Sequence, residues 1–430
     1  MTTLAPRDAA EVVDAVRWAM HAGEAIEVVG AGTRRGFGRP VEAPHLLDVS
    51  GLRGVVEYEP EELILTALPG TPLAEIEELL AARRQCLAFE PPSLAGSGTL
   101  GGAVLTGLSG PRRPKAGAVR DHVLGVTAVS GRGELFKAGG KVVKNVTGYD
   151  LPKLVTGSYG TLAVITELTI KVLPAQEDAR TLILGGQSAE DAVRTMTSVL
   201  QSTADVSAAC YLPAEMALAA AGAASSSSGP AANAARVPNA GHALPAGEAS
   251  LAGDAAATAF RLEGVGPSVE FRLSRLCQQL ASAGSIVVLD RESSLRFWRA
   301  IRDVTPLVSE SAGGLWRISV PPSRGADVLT KVQASLPGSR AFLDWGGGLV
   351  WLHAPAVADV ASALACEQSV RAVLAQSGGH ATLIRASADV RRNVNVFQPQ
   401  APALAALSKR VKLQFDPKRV LNPGRMYADV

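Results

Sequence analysis

Aromatic side chains make up only 4% of this chain of 430 residues, and charged ones only 19%. The 42 basic and 40 acidic residues nearly cancel, leaving a formal charge of +2. No strong field therefore steers an anionic polymer, and nucleic acid meets neither a basic surface nor an aromatic stacking platform. Cysteine is sparse and scattered: Cys86, Cys210, Cys277 and Cys366 form no CxxC pair. That spacing excludes a sequence-local zinc or iron–sulfur motif, so electrons leaving this chain must pass to another protein. The six histidines stand singly. No apolar run reaches the roughly 18 residues of a membrane span, and MTTLAPRDAAEVVDAV has no basic region followed by an apolar stretch. The expectation is a cytoplasmic chain with no transmembrane segment, no metal and no nucleic acid. What is abundant is glycine, 43 residues, in a chain 47% hydrophobic and long enough for two or more domains.

From Asp8 to Met20, the residues Val12, Val13, Val16 and Met20 recur at helical spacing and predict an amphipathic helix. Ala25–Val29 (AIEVV) and His45–Val49 (HLLDV) are expected strands, two more lie between Gly54 and Leu68, and a helix runs from Thr71 or Pro72 to Arg84. The stretch from Pro91 to Gly117 is too rich in Gly, Ser and Pro to be one regular element, and ordered loops of that length are usually functional. VLGVTAVSGRGELFKAGG predicts a hairpin, and TLAVITELTIKVLP a strand that closes a first region at Pro174. Residues 179–212 then read strand, helix, strand. Between 217 and 257 there is no aromatic residue, a run of four serines, and mostly Ala, Gly and Pro, the composition of a disordered insertion. Mixed β and α pieces resume at Phe260.

The glycine-rich GAGTRRGFG after the first long strand invites a dinucleotide reading, with Asp48 downstream. A GxGxxG match needs glycine at position 35, which is Arg35, and a Rossmann loop must open a helix, whereas TRRGFGRPVEAP has two prolines and no apolar periodicity. Alone, such a loop serves either to turn the chain or as a nest of backbone amides that takes phosphate oxygens directly; the further glycine-dense segments downstream favour the nest.

Four segments occur in one order: GAGT, TLGGAVLTGLSG, RDHVLGVTAVSGRGE, and KNVTGYDLPKLVTGSYGTLAVITELTIKVLP, with FDPKRVLNPGRMY (Phe415–Tyr427) near the end. Together they resemble FAD-linked oxidases of the vanillyl-alcohol-oxidase or PCMH type, and within them a family of FAD-binding subunits of glycolate oxidases (glycolate dehydrogenases). The resemblance implies an α+β fold: a PCMH-type FAD-binding domain of two subdomains at 1–175, an α+β cap at 176–400 carrying the insertion 217–257, and a C-terminal segment, 401–430, returning to the FAD domain. Carried over by position, Gly30, Ala31, Gly32, Thr33 and Arg34 match the pyrophosphate loop. Gly98, Thr99, Gly101, Gly102, Ser109 and Gly110 match a second FAD-contacting segment, and Gly157, Gly160, Thr161 and Val164 the strip lining the flavin. Asn145, Thr147, Gly148, Tyr149 and Asp150 match a turn near the isoalloxazine, although Asp150 equally suits a helix N-cap.

The loop offers Thr33 and Arg34 where relatives with covalent flavin carry His or Cys, which implies non-covalent FAD. The metal- and base-bearing HxGDGNxH pattern of related hydroxy-acid enzymes is missing; LDWGGGLVWLHA keeps only His353. No catalytic residue is assigned, with His122 the least improbable base. Nine Lys or Arg against three acids lie between Pro111 and Lys153, which reads first as a solvated face; for an anionic ligand or subunit contact, Arg112, Arg113 and Lys115 make the best candidates there. The implied function is that of an FAD-binding subunit oxidising glycolate, a small 2-hydroxy acid, to glyoxylate. It would work beside a second FAD-binding subunit and an iron–sulfur subunit, with any place at the inner membrane reached through those partners. Two alternatives stay open: a self-sufficient FAD-dependent 2-hydroxy-acid dehydrogenase, and a structural subunit with a vestigial flavin site.

Overall fold

The computed structural model describes residues 2–94, 96, 98–141, 148–217, 255–308 and 313–429. The chain forms two compact units. The first comprises Met1–Ser109, Gly117–Ala175 and Leu383–Val430; the second comprises Gly110–Ala116 and Gln176–Thr382.

In the first unit the expected helix spans Ala9–Ala22. The Asp8 carboxylate accepts from the Glu11 amide at its start, and Gly23, in the left-handed region, ends it. Its Val12 and Val16 pack on a small parallel sheet ordered Thr2–Leu4, His45–Asp48, Ile26–Val29. A parallel pair needs a crossover, usually a helix. Here the crossover from Ile26–Val29 to His45–Asp48 is the glycine loop itself, which holds turns and bends and no helix. The second sheet is antiparallel, in the order Val55–Glu59, Ile64–Ala67, Ala163–Lys171, Val123–Ser130, Leu135–Gly139. Ala163–Lys171 is central and therefore buried on both faces. Val129 and Val164 of this sheet join the core around the first helix, so the two sheets share packing.

The Pro91–Gly117 stretch departs from its expected irregularity. Leu100–Thr106 is a helix, capped by Thr99, whose hydroxyl accepts from the Gly102 amide, and ended by Gly107 in the left-handed region. Its glycines serve close approach: a Cβ on Gly101 would lie 2.7 Å from the Pro69 Cβ. The short helix Leu151–Val155 is N-capped by Asp150, whose carboxylate accepts from the Lys153 amide.

The second unit is built on an eight-stranded sheet ordered Ser285–Leu289, Asp178–Gly185, Ala257–Gly264, Ala208–Leu212, Arg340–Asp344, Leu349–Ala354, Gly314–Ser319, His380–Arg385. Helices including Ala189–Leu200, Gly266–Leu280 and Gly325–Ser335 pack on it. The expected insertion begins at Ala217, in a helical turn, and ends at Ala257, which opens a strand; 218–254 lie outside the described residues.

Glu263 in this sheet receives two hydrogen bonds from Arg112, at 2.6 and 3.1 Å, and lies 3.4 Å from the Arg261 guanidinium. Burial alone would raise its pKa, but Arg261 and Arg112 outweigh burial and hold it at about 2 instead of 4.5. A carboxyl depressed on folding stabilises the fold above its unfolded pKa and ceases to do so as pH falls through the folded value. The second unit should therefore lose stability between about pH 4.5 and pH 2. Urea titrations across that window should show a flatter pH dependence for Glu263→Gln, and an unchanged slope would contradict this account.

Candidate functional site

The loop that crosses between the parallel strands, the helix that starts at Leu100 and a C-terminal segment converge on one cleft in the first unit. Of the residues expected to hold cofactor, Gly30, Ala31, Gly32, Thr33, Arg34, Thr99, Gly101, Gly102 and Val164 line it. Gly98 sits at its edge, where a Cβ would be 3.4 Å from both Arg34 Nε and Thr33 Oγ1.

The others lie elsewhere, each with a local task. Ser109 Oγ accepts from the Val119 amide, and the Gly110 carbonyl accepts from Trp345 Nε1 within the second unit. The Gly157 amide donates to the Val104 carbonyl, holding the Leu100–Thr106 helix. Gly160 faces Asn422, and Thr161 offers its carbonyl to Lys412. Gly148 and Tyr149 are exposed; Asn145 and Thr147 lie outside the described residues.

The chemistry of the cleft is that of an anion site. The amides of Ala31, Gly32, Thr33 and Arg34 make no hydrogen bond to another described residue. A turn with free amides is a phosphate nest. The Arg34 guanidinium donates to Thr106 Oγ1 at 2.9 Å and to the Pro92 carbonyl at 3.2 Å, while its buried Nε has no partner among the described residues. Desolvation pulls its pKa down to about 10, so it stays charged at neutral pH.

Two contributors escape a reading of the sequence, Asn422 and Arg425, both in the C-terminal motif. Asn422 Oδ1 accepts from the Val28 amide at 2.8 Å, and its Nδ2 donates to the Tyr159 carbonyl at 2.9 Å, tying the strand before the loop to the turn that precedes Ala163–Lys171. Arg425 donates to the Arg34 carbonyl at 2.9 Å, and its Nε is also buried with no partner among the described residues. Burial lowers its pKa, partly offset by Glu27. Arg34, Arg35 and Arg425 line the cleft, and the buried carboxylate of Glu27 pairs with Arg35 and Arg425. The motif resembles a closing signature, but with nearly the whole chain between it and the loop, nothing local says where it closes.

These features fit a diphosphate-bearing cofactor: free amides, two orphaned guanidinium N–H groups and surplus positive charge. The comparisons with known proteins agree. Residues 2–139 match the model of an FAD binding domain, and 396–426 that of the C-terminal domain of FAD linked oxidases. The chain is 32% identical over 403 residues to "Glycolate oxidase subunit GlcE" of Escherichia coli (strain K12), covering 94% of this chain and 93% of that one. The chain belongs to the GlcE family of FAD-linked oxidases.

For this GlcE-family chain, FAD is the cofactor. "Glycolate oxidase subunit GlcD" of Bacillus subtilis (strain 168) is 32% identical over 173 residues, 40% of this chain and 36% of that one. The structure of p-cresol methylhydroxylase with substrate bound matches with a TM-score of 0.72 at 14% identity, covering all of this chain and 88% of that one. The fold is thus the PCMH-type FAD-binding fold, as the motif order implied.

Neither isolated histidine enters the cleft. His122 is buried against Phe89, its Nδ1 3.3 Å from the Lys171 carbonyl, and His353 is buried in the strand Leu349–Ala354 of the second unit. The basic loop is turned to its own unit: Arg112 pairs with Glu263, Lys115 with Asp205, and Arg113 stacks 4.3 Å from the Trp345 ring centre. Among the described residues no cluster of His, Cys, Asp and Glu could hold a metal ion, and no helix is long and apolar enough to cross a membrane.

Proposed function

We propose that this chain holds non-covalent FAD within a complex that oxidises glycolate, or a close 2-hydroxy acid, to glyoxylate. In this reading residues 1–175 are the FAD-binding domain, 176–400 the cap and 401–430 the returning segment. The observation that carries it is the basic cleft with unpartnered amides and guanidinium N–H groups, in a chain similar end to end to a glycolate oxidase subunit. Gly30 to Arg34, with Gly98 to Gly102, would hold the diphosphate. Asn422 fixes the spacing between that loop and the strip at Gly157, Gly160, Thr161 and Val164. No histidine or cysteine lines the described cleft, which supports non-covalent attachment.

The chemistry FAD supplies when bound is acceptance of a hydride equivalent and its onward release as electrons. This chain's residues neutralise and orient the cofactor. With His122 and His353 both buried away from the cleft, no residue is assigned to take the substrate hydroxyl proton. In this reading the oxidation itself takes place in a second FAD-binding subunit, with an iron–sulfur subunit as the outlet for electrons and this chain serving relay or assembly.

The test is co-expression with those two subunits, purification of the assembly, and counting of flavin and iron per chain. One flavin on this chain, with no bleaching by glycolate when the chain is isolated under anaerobic conditions, is the expected result. Bleaching of the isolated chain would instead establish the self-sufficient dehydrogenase. An assembled complex in which this chain lacks flavin absorbance would establish the structural role.

A further inference from the structure

The helix Pro402–Phe415 is built inside out. Its one buried residue is Lys412, whereas Leu404, Leu407 and Leu413 are 51%, 46% and 38% exposed. Residues 402–407 are exposed on every side, so the first half of the helix touches little of the rest of the described chain. It is held from its far end: Lys412 donates three hydrogen bonds inward, Phe415 meets Phe136 edge-on at 6.0 Å, and Arg132 donates to the Gln414 carbonyl.

Isolated helices of this length are marginal in water and ordinarily gain their stability by burying an apolar stripe. Here the stripe is present, Leu404, Leu407 and Val411 at spacings of three and four, the pattern of a helix that seats in a groove.

Charge narrows the occupant. The helix contains no acidic residue; Lys409 and Arg410 are exposed beside the stripe, and Lys418 and Arg419 follow. Lys409 meets Asp429 only at 3.7 Å with both groups solvated, a pairing worth little. A second copy of this chain would oppose the same basic stripe. We infer that the Leu404–Leu407–Val411 stripe of helix Pro402–Phe415 docks into an apolar groove rimmed by carboxylates on another subunit of the complex. This rests on the reading of the chain as a member of a heteromeric oxidase.

The experiment uses the full chain co-expressed with the second FAD-binding subunit and the iron–sulfur subunit, one of them tagged. Leu404→Glu with Leu407→Glu should lower recovery of this chain with the tagged subunit at least about tenfold, a loss of some 1.4 kcal/mol. Its flavin content and thermal midpoint should stay at the wild-type values, as expected for exposed sites away from the cleft. Lys409→Glu with Arg410→Glu should weaken recovery mainly at low salt. Undiminished recovery of the leucine variant overturns the docking inference alone. Loss of self-association without loss of partner recovery assigns the face to a second copy and overturns it too. A wild-type chain that recovers neither subunit overturns the heteromeric reading and the inference with it.

Discussion

Replacing Lys412 by Ala should cost about 3–5 kcal/mol of folding free energy, the range seen when one partner of a buried ion pair is removed. Lys412 and Asp416 are 1% and 0% exposed, and the ammonium donates to Asp416 Oδ2 at 2.8 Å and to the carbonyls of Thr161 and Leu421. The carboxylate in turn accepts from the amides of Val420 and Leu421 at 3.0 and 2.8 Å. Removing the ammonium strands a carboxylate and two carbonyls out of reach of water. Against a usual total stability of about 5–15 kcal/mol, much of the protein should be insoluble or unfolded. Asp416→Asn keeps an oxygen that accepts one of the two amides, and should lose less. Urea denaturation of both variants is the measurement; a Lys412→Ala midpoint equal to wild type would show that the pair is not what closes this segment.

Arg34→Ala should separate cofactor affinity from apoprotein stability. The guanidinium is buried, and among the described residues no carboxylate offsets its charge within hydrogen-bonding distance, only Thr106 Oγ1 and the Pro92 carbonyl. Its removal relieves a desolvation cost in the apoprotein, so the apoprotein's thermal midpoint should fall little or rise. FAD should bind roughly 50-fold more weakly, matching about 2–3 kcal/mol for hydrogen bonds to a charged group. Flavin titration of deflavinated protein and apoprotein melting give the two readouts. Equal losses in both would reassign Arg34 to structural support of Pro92 and Thr106.

The sequence told most where the chemistry is local. GAGT followed by two prolines excluded a helix, and the structure has none there; four motifs in order pointed to the fold that the structural comparison shows. Local reasoning misjudged the glycines of TLGGAVLTG. They occupy a helix because Thr99 caps it and because Pro69 leaves no room for a side chain at position 101, a constraint set by a residue some thirty positions away. It also misjudged Arg112, whose carboxylate partner is Glu263, a neighbour visible only after the chain folds. Asn422 and Arg425 stand in the closing motif, yet no local pattern places them, since their partners are Val28, Tyr159 and Arg34.

The return of the C-terminal segment has a bearing on biosynthesis. The Ile26 amide donates to the Val420 carbonyl, the Asn422 amide donates to the Ile26 carbonyl, and Leu421 lies in the core with Val12 and Val16. A strand at residues 26–29 is thus completed by residues nearly four hundred positions further along the chain, whereas the second unit's sheet needs little beyond Thr382. Contacts of such sequence separation form slowly. The order of folding should therefore run against the order of synthesis: the second unit can form while the chain is still emerging, whereas the cleft of the first unit waits for residues 420–425.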